Sequence, residues 1–400
     1  MKVLISGASI SGPVLAYWLN RYGFEVTVVE RAPRLRKTGG HAVDLFRPAM
    51  EISERMGVLP RVEAAATGTT RLTVVREGSA KPVAVDLSKL FGATSDRHVE
   101  IMRDDLSEIY HDATSADVEY VFGDSITAIE GRTVSFERGA AREFDLVVGA
   151  DGLHSNVRRL VFGDGNEVFI GAYLAVLSVP KDLLADGEFV SHIGPGRMAG
   201  VYSARHADDA RVVFLFRRER PLDYHYRDVP RQKELLRAAF AGMHPRVDSW
   251  LAELDRTGAF YFDSITQLRM DRWSAGRVTL VGDAGYCPGP AVGGSTSLAV
   301  LGAYVLAGEL AAAGGDHERA FAAYEREMSD IVRRSRAFAI GTAKGLIPSS
   351  RLGVWALTQG GRLVSALPAG VSRALAKLNT RGVRLHDSLP VKDYSVTVTS

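Results

Sequence analysis

The sequence predicts an α/β protein: a nucleotide-binding parallel sheet is interrupted by a second, mostly antiparallel domain and followed by a helical C-terminal segment. Three observations predict this. The first thirty residues read as strand, glycine turn, helix and strand. Two later apolar runs, 144–148 and 278–281, each end in a turn that joins glycine to an acid. Between them, from about residue 167, the pattern changes to long alternating strands.

The N-terminal unit is the most specific. Residues 2–6 (KVLIS) form a short apolar run ending at Gly7, and Gly7-Ala8-Ser9-Ile10-Ser11-Gly12 follows the G-x-G-x-x-G pattern with Ser9 at the middle glycine. Gly7 permits the sharp turn, and Gly12 lets the helix over 11–22 pack close to the sheet. The N–H groups of that helix, entered through Ser9, Ile10 and Ser11, face a pyrophosphate with its positive dipole end. Ser9 is small enough to be tolerated there. Glu30 closes the second strand, 26–30, where a carboxylate accepts hydrogen bonds from ribose hydroxyls. The competing reading is a purely structural glycine turn. Arg31 opens a basic loop to Gly40 that passes whatever the nucleotide carries.

Residues 42–45 then read as a short extended segment, 48–56 as a helix, and 72–75 with 81–87 as a hairpin. Asp104 is expected to cap a helix running to 113. Residues 118–122, 125–130 and 133–137 suggest a small meander, and 144–148 a buried strand entering Gly149-Ala150-Asp151-Gly152. Asp151 is there either a ligand-edge carboxylate or a helix cap. Strands 168–179, 188–193, 200–204, 211–217 and 259–267, with helices 231–241 and 246–253, make the second domain. Strand 278–281 returns to the first sheet and enters Gly282-Asp283-Ala284-Gly285. Gly293 and Gly294 then open a helix to 310, presenting a second helix N-terminus beside the Asp283 carboxylate. Helical patterns follow over 317–338 and over 352–378, the latter broken by Pro368. The divisions are 1–166 and 276–338 for the nucleotide domain, 167–275 for the substrate domain and 339–400 for the helical tail.

Composition narrows the function. Four hundred residues suffice for two domains, and 49 basic against 47 acidic residues leave +2, which gives no reason to expect nucleic acid. Cys287, the single cysteine, excludes an intramolecular disulfide and fits a reducing cytosol. The chain enters its first strand without a leader. Residues 298–313 are apolar but contain Glu309 and glycines, so they read as a buried helix rather than a membrane span. The ten histidines show no His-x-x-x-His spacing that suggests a metal site. A cytoplasmic protein with a small-molecule partner, no nucleic acid and no stable membrane insertion is expected; the oligomeric state is left open.

With these motifs in place, the chain resembles the class A flavoprotein monooxygenases of para-hydroxybenzoate-hydroxylase-like fold over about residues 2–338. The nucleotide loop with Glu30, a DG motif at Asp151-Gly152, a GD motif at Gly282-Asp283 and Arg103 within Ile101-Met102-Arg103-Asp104-Asp105-Leu106 carry the resemblance. It implies a Rossmann-like FAD-binding domain: FAD lies extended, adenosine near Glu30, pyrophosphate on the first helix, ribityl near Asp283 and Arg103 alongside. It further implies NADPH or NADH as reductant and molecular oxygen as co-substrate, with a C4a-hydroperoxide passing one oxygen atom to a small aromatic or polycyclic molecule. Gly285-Tyr286 stands where the family commonly has Ala-His, and Ser295, Ser297 and Gly302 depart from its glycine-rich run. Gly39-Gly40-His41-Ala42-Val43-Asp44-Leu45 is similar to a GG-x-x-DL stretch of tetracycline-inactivating monooxygenases, which implies that Gly40 and Asp44 lie beside the isoalloxazine ring. His41 is read as a solvated loop histidine in preference to a substrate contact.

Natural-product tailoring or antibiotic inactivation are the roles this suggests. The rivals are a flavin-dependent reductase and a flavin- or ligand-binding protein without turnover. A halogenase is disfavoured because Trp18, Trp250, Trp273 and Trp355 form no W-x-W run. Phe189, Tyr202, Phe214, Phe216 and Phe262 either line a substrate cavity or fill a sheet core. No catalytic residue is assigned; His192, His206, His225 and Arg217 are candidates for a base or anchor.

Overall fold

The computed structural model describes residues 1–35, 39–79, 81–87, 97–181, 188–204, 207–290, 294–366 and 389–394. Its first sheet has six strands in the order Ser274–Ala275, Val278–Leu280, Leu146–Gly149, Lys2–Ser6, Glu25–Glu30, Glu119–Phe122. All neighbours pair in parallel except the first two. The central strands are apolar without interruption because both faces are covered: Val3, Leu4 and Ile5 on one strand and Leu146 and Val148 on the next are fully buried. Helix Ser11–Arg21 packs against helix Ser295–Ala312 over this sheet. Helix Ser295–Ala312 is buried around nearly its whole circumference, which explains its lack of a polar face. Among the described residues it is the one helix long and apolar enough to cross a membrane, and 78% of it is buried inside the fold.

Glu119–Phe122 does not join a meander. It is the parallel edge of the first sheet, reached from Glu30 through the intervening chain and helix Arg103–Asp112. An edge strand is half exposed and so shows the alternation that suggested an antiparallel partner. Ile126–Glu130, Thr133–Phe136 and Arg142–Glu143 form a separate small antiparallel sheet.

The second sheet has seven strands in the order Phe260–Leu268, Glu167–Pro180, Asp209–Arg217, Arg197–Tyr202, Glu188–Gly194, Arg71–Arg76, Val83–Asp86. The hairpin Arg71–Arg76/Val83–Asp86 forms as expected but belongs to this sheet, through a parallel pairing with Glu188–Gly194. Alternation sorts the side chains. Tyr173, Phe214, Phe216 and Phe262 face helices Val229–Phe240 and Pro245–Ala252, packing with Phe240 and Trp250. Leu174, Val213 and Leu215 face the other way. A two-stranded ribbon, Ala42–Phe46 against His98–Met102, completes the wall on that side.

Helix His317–Leu346 runs further than the sequence pattern indicated, and helix Arg351–Ala366 follows. Pro368 and the rest of the expected segment to 378 lie outside the described residues. Residues 389–394 dock on the first unit. Lys392 Nζ and Tyr394 Oη meet Glu309 Oε1 at 2.6 and 2.7 Å, and Tyr304 donates to the Lys392 carbonyl at 2.8 Å. Glu309, a carboxylate within an apolar helix, is thereby paired.

Candidate cofactor and substrate site

The glycine loop is built for close approach. A Cβ on Gly12 would stand 1.9 Å from the Gly7 carbonyl oxygen, and one on Gly7, which has φ of +111°, would stand 2.5 Å from the Ala150 oxygen. Helix Ser11–Arg21 starts at Ile10 with no side-chain cap and no acid in its first turn, although Ser11, Gly12 and Pro13 are buried. Its first N–H groups therefore call for an external anion. Glu30 accepts hydrogen bonds from the Ala8 N–H at 3.0 Å through Oε2 and from the Ala32 N–H at 2.8 Å through Oε1. It braces the loop, and each oxygen keeps a lone pair for a hydroxyl. Arg31 is exposed just beyond it.

The other motifs converge here. Arg103 Nη2 donates to Ser9 Oγ at 3.1 Å, and the Ser107 hydroxyl donates to the Ser9 carbonyl at 3.1 Å. Gly282 packs between the start of the first helix and helix Ser295–Ala312: a Cβ there would meet Ser11 Oγ at 3.1 Å and Ala299 Cβ at 3.2 Å. Beside it, burial pushes the Asp283 carboxyl up, while a hydrogen bond from Cys287 and the charge of Arg103 pull it back. Helix Ser295–Ala312 opens at Gly294, in a left-handed conformation, without a side-chain cap. Gly293 lies outside the described residues.

Asp151 is held by its own chain, though not as the helix cap. Its carboxylate accepts the Ser155 hydroxyl, the N–H groups of Asn156 and Val157 at 2.9 and 3.1 Å, and the Ser6 hydroxyl at 3.3 Å. It braces the start of helix Asn156–Phe162, whose N-cap is Ser155 accepting the Arg158 N–H at 2.9 Å, and ties it to the first strand. Asp104 likewise departs from expectation. Helix Arg103–Asp112 has no side-chain cap, and Asp104 instead accepts the Gly40 N–H at 2.8 Å, fixing the loop that leads to His41.

A cavity of about 200 Å³ lies between the ribbon, the start of helix Ser295–Ala312 and the second sheet. Asp44 and Gly294 line it, as does His41, which is therefore not a surface histidine. Burial, reinforced by Arg103, lowers the His41 pKa to about 4, against the opposing pull of Asp44, so the imidazole is neutral near pH 7. Phe189 and Tyr202 reach the cavity, whereas Phe214, Phe216 and Phe262 are core on the far face. His192 is on that far face too, 4.1 Å from His244 between ring centroids. Arg217 donates to the Ile347 carbonyl at 3.4 Å, His225 packs at a tilt against Tyr226, and His206 lies outside the described residues.

Residues 1–339 match a family model described as an FAD binding domain. A flavin-dependent monooxygenase of Legionella longbeachae is 36% identical over 87% of this chain and 90% of that protein. The chain belongs to the class A FAD-dependent monooxygenases. This monooxygenase is also 44% identical to the uncharacterized protein Rv1260 of Mycobacterium tuberculosis, over 84% of this chain and 91% of that one. Among solved structures it is similar to the tetracycline destructase Tet(55), with a TM-score of 0.83 and 32% identity over 98% of both chains. It stands near the tetracycline-destructase type and is an oxidoreductase. FAD is its cofactor, and the uncapped helix start and the glycine cradle described above fit that group.

Sequence reasoning missed several residues of the monooxygenase cavity. Glu100 and Thr69 line it, and His98 Nε2 lies 2.8 Å from Asp44 Oδ1. Their role depends on the pairing of Ala42–Phe46 with His98–Met102, which no local pattern announces. Ser297 donates to the Asp44 carbonyl at 3.2 Å and accepts the Phe46 N–H at 2.9 Å. The serine that departs from the family's glycine-rich run thus pins the ribbon to the helix.

Proposed function

We propose that this protein uses NADPH or NADH to insert one atom of molecular oxygen into an aromatic or polycyclic small molecule, in natural-product tailoring or antibiotic inactivation. Bound FAD supplies the redox chemistry, taking hydride from the nicotinamide and activating dioxygen. The observation that carries the reading is the cavity, which opens from the Asp44 and Gly294 side of the cofactor cleft onto the apolar face of the second sheet. In this reading the first helix holds the pyrophosphate, with Arg103 neutralising it. Glu30 holds the adenosine ribose and Asp283 the ribityl hydroxyls. The ribbon orients the substrate, and the apolar wall excludes water. Segments 1–166 and 276–338 serve the cofactor and 167–275 the substrate, with the hairpin 71–86 counted on the substrate side. Likeness to tetracycline destructases supports a polycyclic substrate.

The test is the visible spectrum of purified protein, recorded anaerobically with NADPH or NADH and a panel of aromatic polyketides, followed by turnover under labelled dioxygen. Flavin bleaching accelerated by one ligand, with label in the product, supports the reading. A flavin that bleaches without label incorporation replaces it with a reductase, and a flavin that neither nicotinamide reduces replaces it with a binding protein.

A further inference from the structure

We propose that the cavity selects aromatic or polycyclic substrates that carry a protonated amine, held by Glu100 and Asp44 while the ring system lies against the second sheet. This rests on the reading of the cavity as the substrate site.

Asp44 stands directly opposite Glu100 in the antiparallel ribbon, and both line the cavity. Such partners have Cβ atoms about 5 Å apart, and like charges so placed destabilise a ribbon. The surrounding groups soften the repulsion without cancelling it. His98 Nε2 meets one Asp44 oxygen, and the Thr67 hydroxyl donates to one Glu100 oxygen, so each carboxyl keeps acceptor capacity.

The nearby cations are engaged elsewhere. Arg103 turns to Ser9, and Arg211 pairs with Asp209 and donates to the Gly40 carbonyl at 3.2 Å. Among the described residues lining the cavity, the ionisable side chains are His41, Asp44, Glu100 and Tyr202. His41 is neutral, and burial pushes the Tyr202 phenol up, so it is neutral as well. The charge of the wall therefore comes from its two acids alone, Asp44 in contact with His98 and Glu100 in the more buried place. Facing it are Leu174, Phe189, Met198, Val213 and Leu215, which suit a flat apolar body. An anionic ligand would meet like charge, and a neutral one would leave the two acids opposed. A cation satisfies both.

Burial and the charge of Asp44 push the Glu100 carboxyl up, against the Thr67, His98 and Thr69 contacts. A cation entering beside it favours the ionised form, so binding releases a proton at any pH where Glu100 is still protonated in the free protein.

The test is calorimetric titration of FAD-loaded protein with three ligands of one ring system: 9-(aminomethyl)acridine as the ammonium cation, acridine as the neutral form and acridine-9-carboxylate as the anion. The cation is expected to bind about ten-fold tighter or more than either of the others. Its affinity should rise with pH over the range in which Glu100 is still protonated in the free protein, and its binding heat should vary with buffer ionisation enthalpy as the released proton is taken up. Glu100→Gln should abolish the preference and the proton release together; Asp44→Asn should weaken the preference, and serves as the second variant if the first fails to fold. Equal binding of all three ligands, or a preference unchanged in both variants, overturns the inference while leaving the cavity as the substrate site. If none of the three binds to protein that holds FAD, that reading and the inference fall together.

Discussion

His154 Nε2 stands 2.8 Å from Asp263 Oδ2, joining the turn after strand Leu146–Gly149 to the buried face of the second sheet. Tyr226 stacks on the imidazole at 4.8 Å, and the Tyr261 hydroxyl reaches the same carboxylate oxygen at 3.4 Å. The hydrogen bond to Asp263 raises the His154 pKa; burial opposes it, and the charges of Asp263 and Glu167 add to it. The folded value thus lies above the unfolded value of about 6.5. The contact's contribution is full below that unfolded value and is lost as pH rises through the folded one. His154→Gln should therefore lower the melting temperature most under acidic conditions, with the gap to wild type closing as pH rises. A gap independent of pH would count against the ion pair.

Gly12→Ala should disable the nucleotide loop. Its Cβ would collide with the Gly7 carbonyl oxygen, which is backbone and has no room to yield. Overpacking of this kind costs about 1–3 kcal/mol, and the displaced helix start should lose its anion. Flavin content after purification, measured by absorbance, should fall sharply, whereas Gly258→Ala, at an exposed bend of ordinary backbone where a Cβ meets nothing within 4 Å, should keep it.

Arg103→Ala should weaken FAD binding by about ten- to a hundred-fold, the range for loss of a charge-assisted contact. Arg103→Lys should recover only part of this, since an ammonium lacks the planar fork that reaches both Ser9 and a phosphate. Titration of apo-protein with FAD, followed by flavin fluorescence, measures both.

Lys392→Ala should destabilise the protein by about 1–2 kcal/mol, less than for a fully buried pair because the lysine is half exposed. The loss arises because Glu309 is left deep in an apolar helix with Tyr394 as its remaining donor. Adding Glu309→Gln should restore much of the stability in a double-mutant cycle by urea denaturation. Additive effects would mean the two side chains act independently.

Cys287 should resist thiol reagents in the native protein. It is fully buried, and burial together with the Asp283 charge pushes its thiol well above the ordinary range. Its labelling rate should follow unfolding; rapid labelling of folded protein would show that the GD turn opens on its own.

The sequence made the first thirty residues readable because strand, turn and helix are each specified locally, and the long strands of the second sheet because one face is buried. What it hid was pairing. Glu119–Phe122 reads as a meander strand until Glu25–Glu30 is beside it, and the hairpin 71–86 gives no sign that Glu188–Gly194 will adopt it. Phe214 and Phe189 look equivalent in the sequence, yet alternation sends one to the core and the other to the cavity. Asp104 has the composition of a helix cap, but a loop N–H from Gly40 outcompetes its own helix for the carboxylate. Glu100 was invisible because its meaning comes wholly from Asp44 across the ribbon.

The docking of residues 389–394 on helix Ser295–Ala312 also bears on how the chain folds during synthesis. Lys2–Ser6 emerges from the ribosome first, but one flanking strand, Leu146–Gly149, waits for Val278–Leu280, and Glu309 waits for Lys392. Four of the seven strands of the second sheet, Glu167 to Arg217, are consecutive in sequence and can pair while the first unit is still incomplete. The earliest-made unit is thus the last to close, so a nascent chain stalled before residue 392 would hold a paired second sheet above an unsealed first unit, exposed to chaperones and proteases for the longest part of its synthesis.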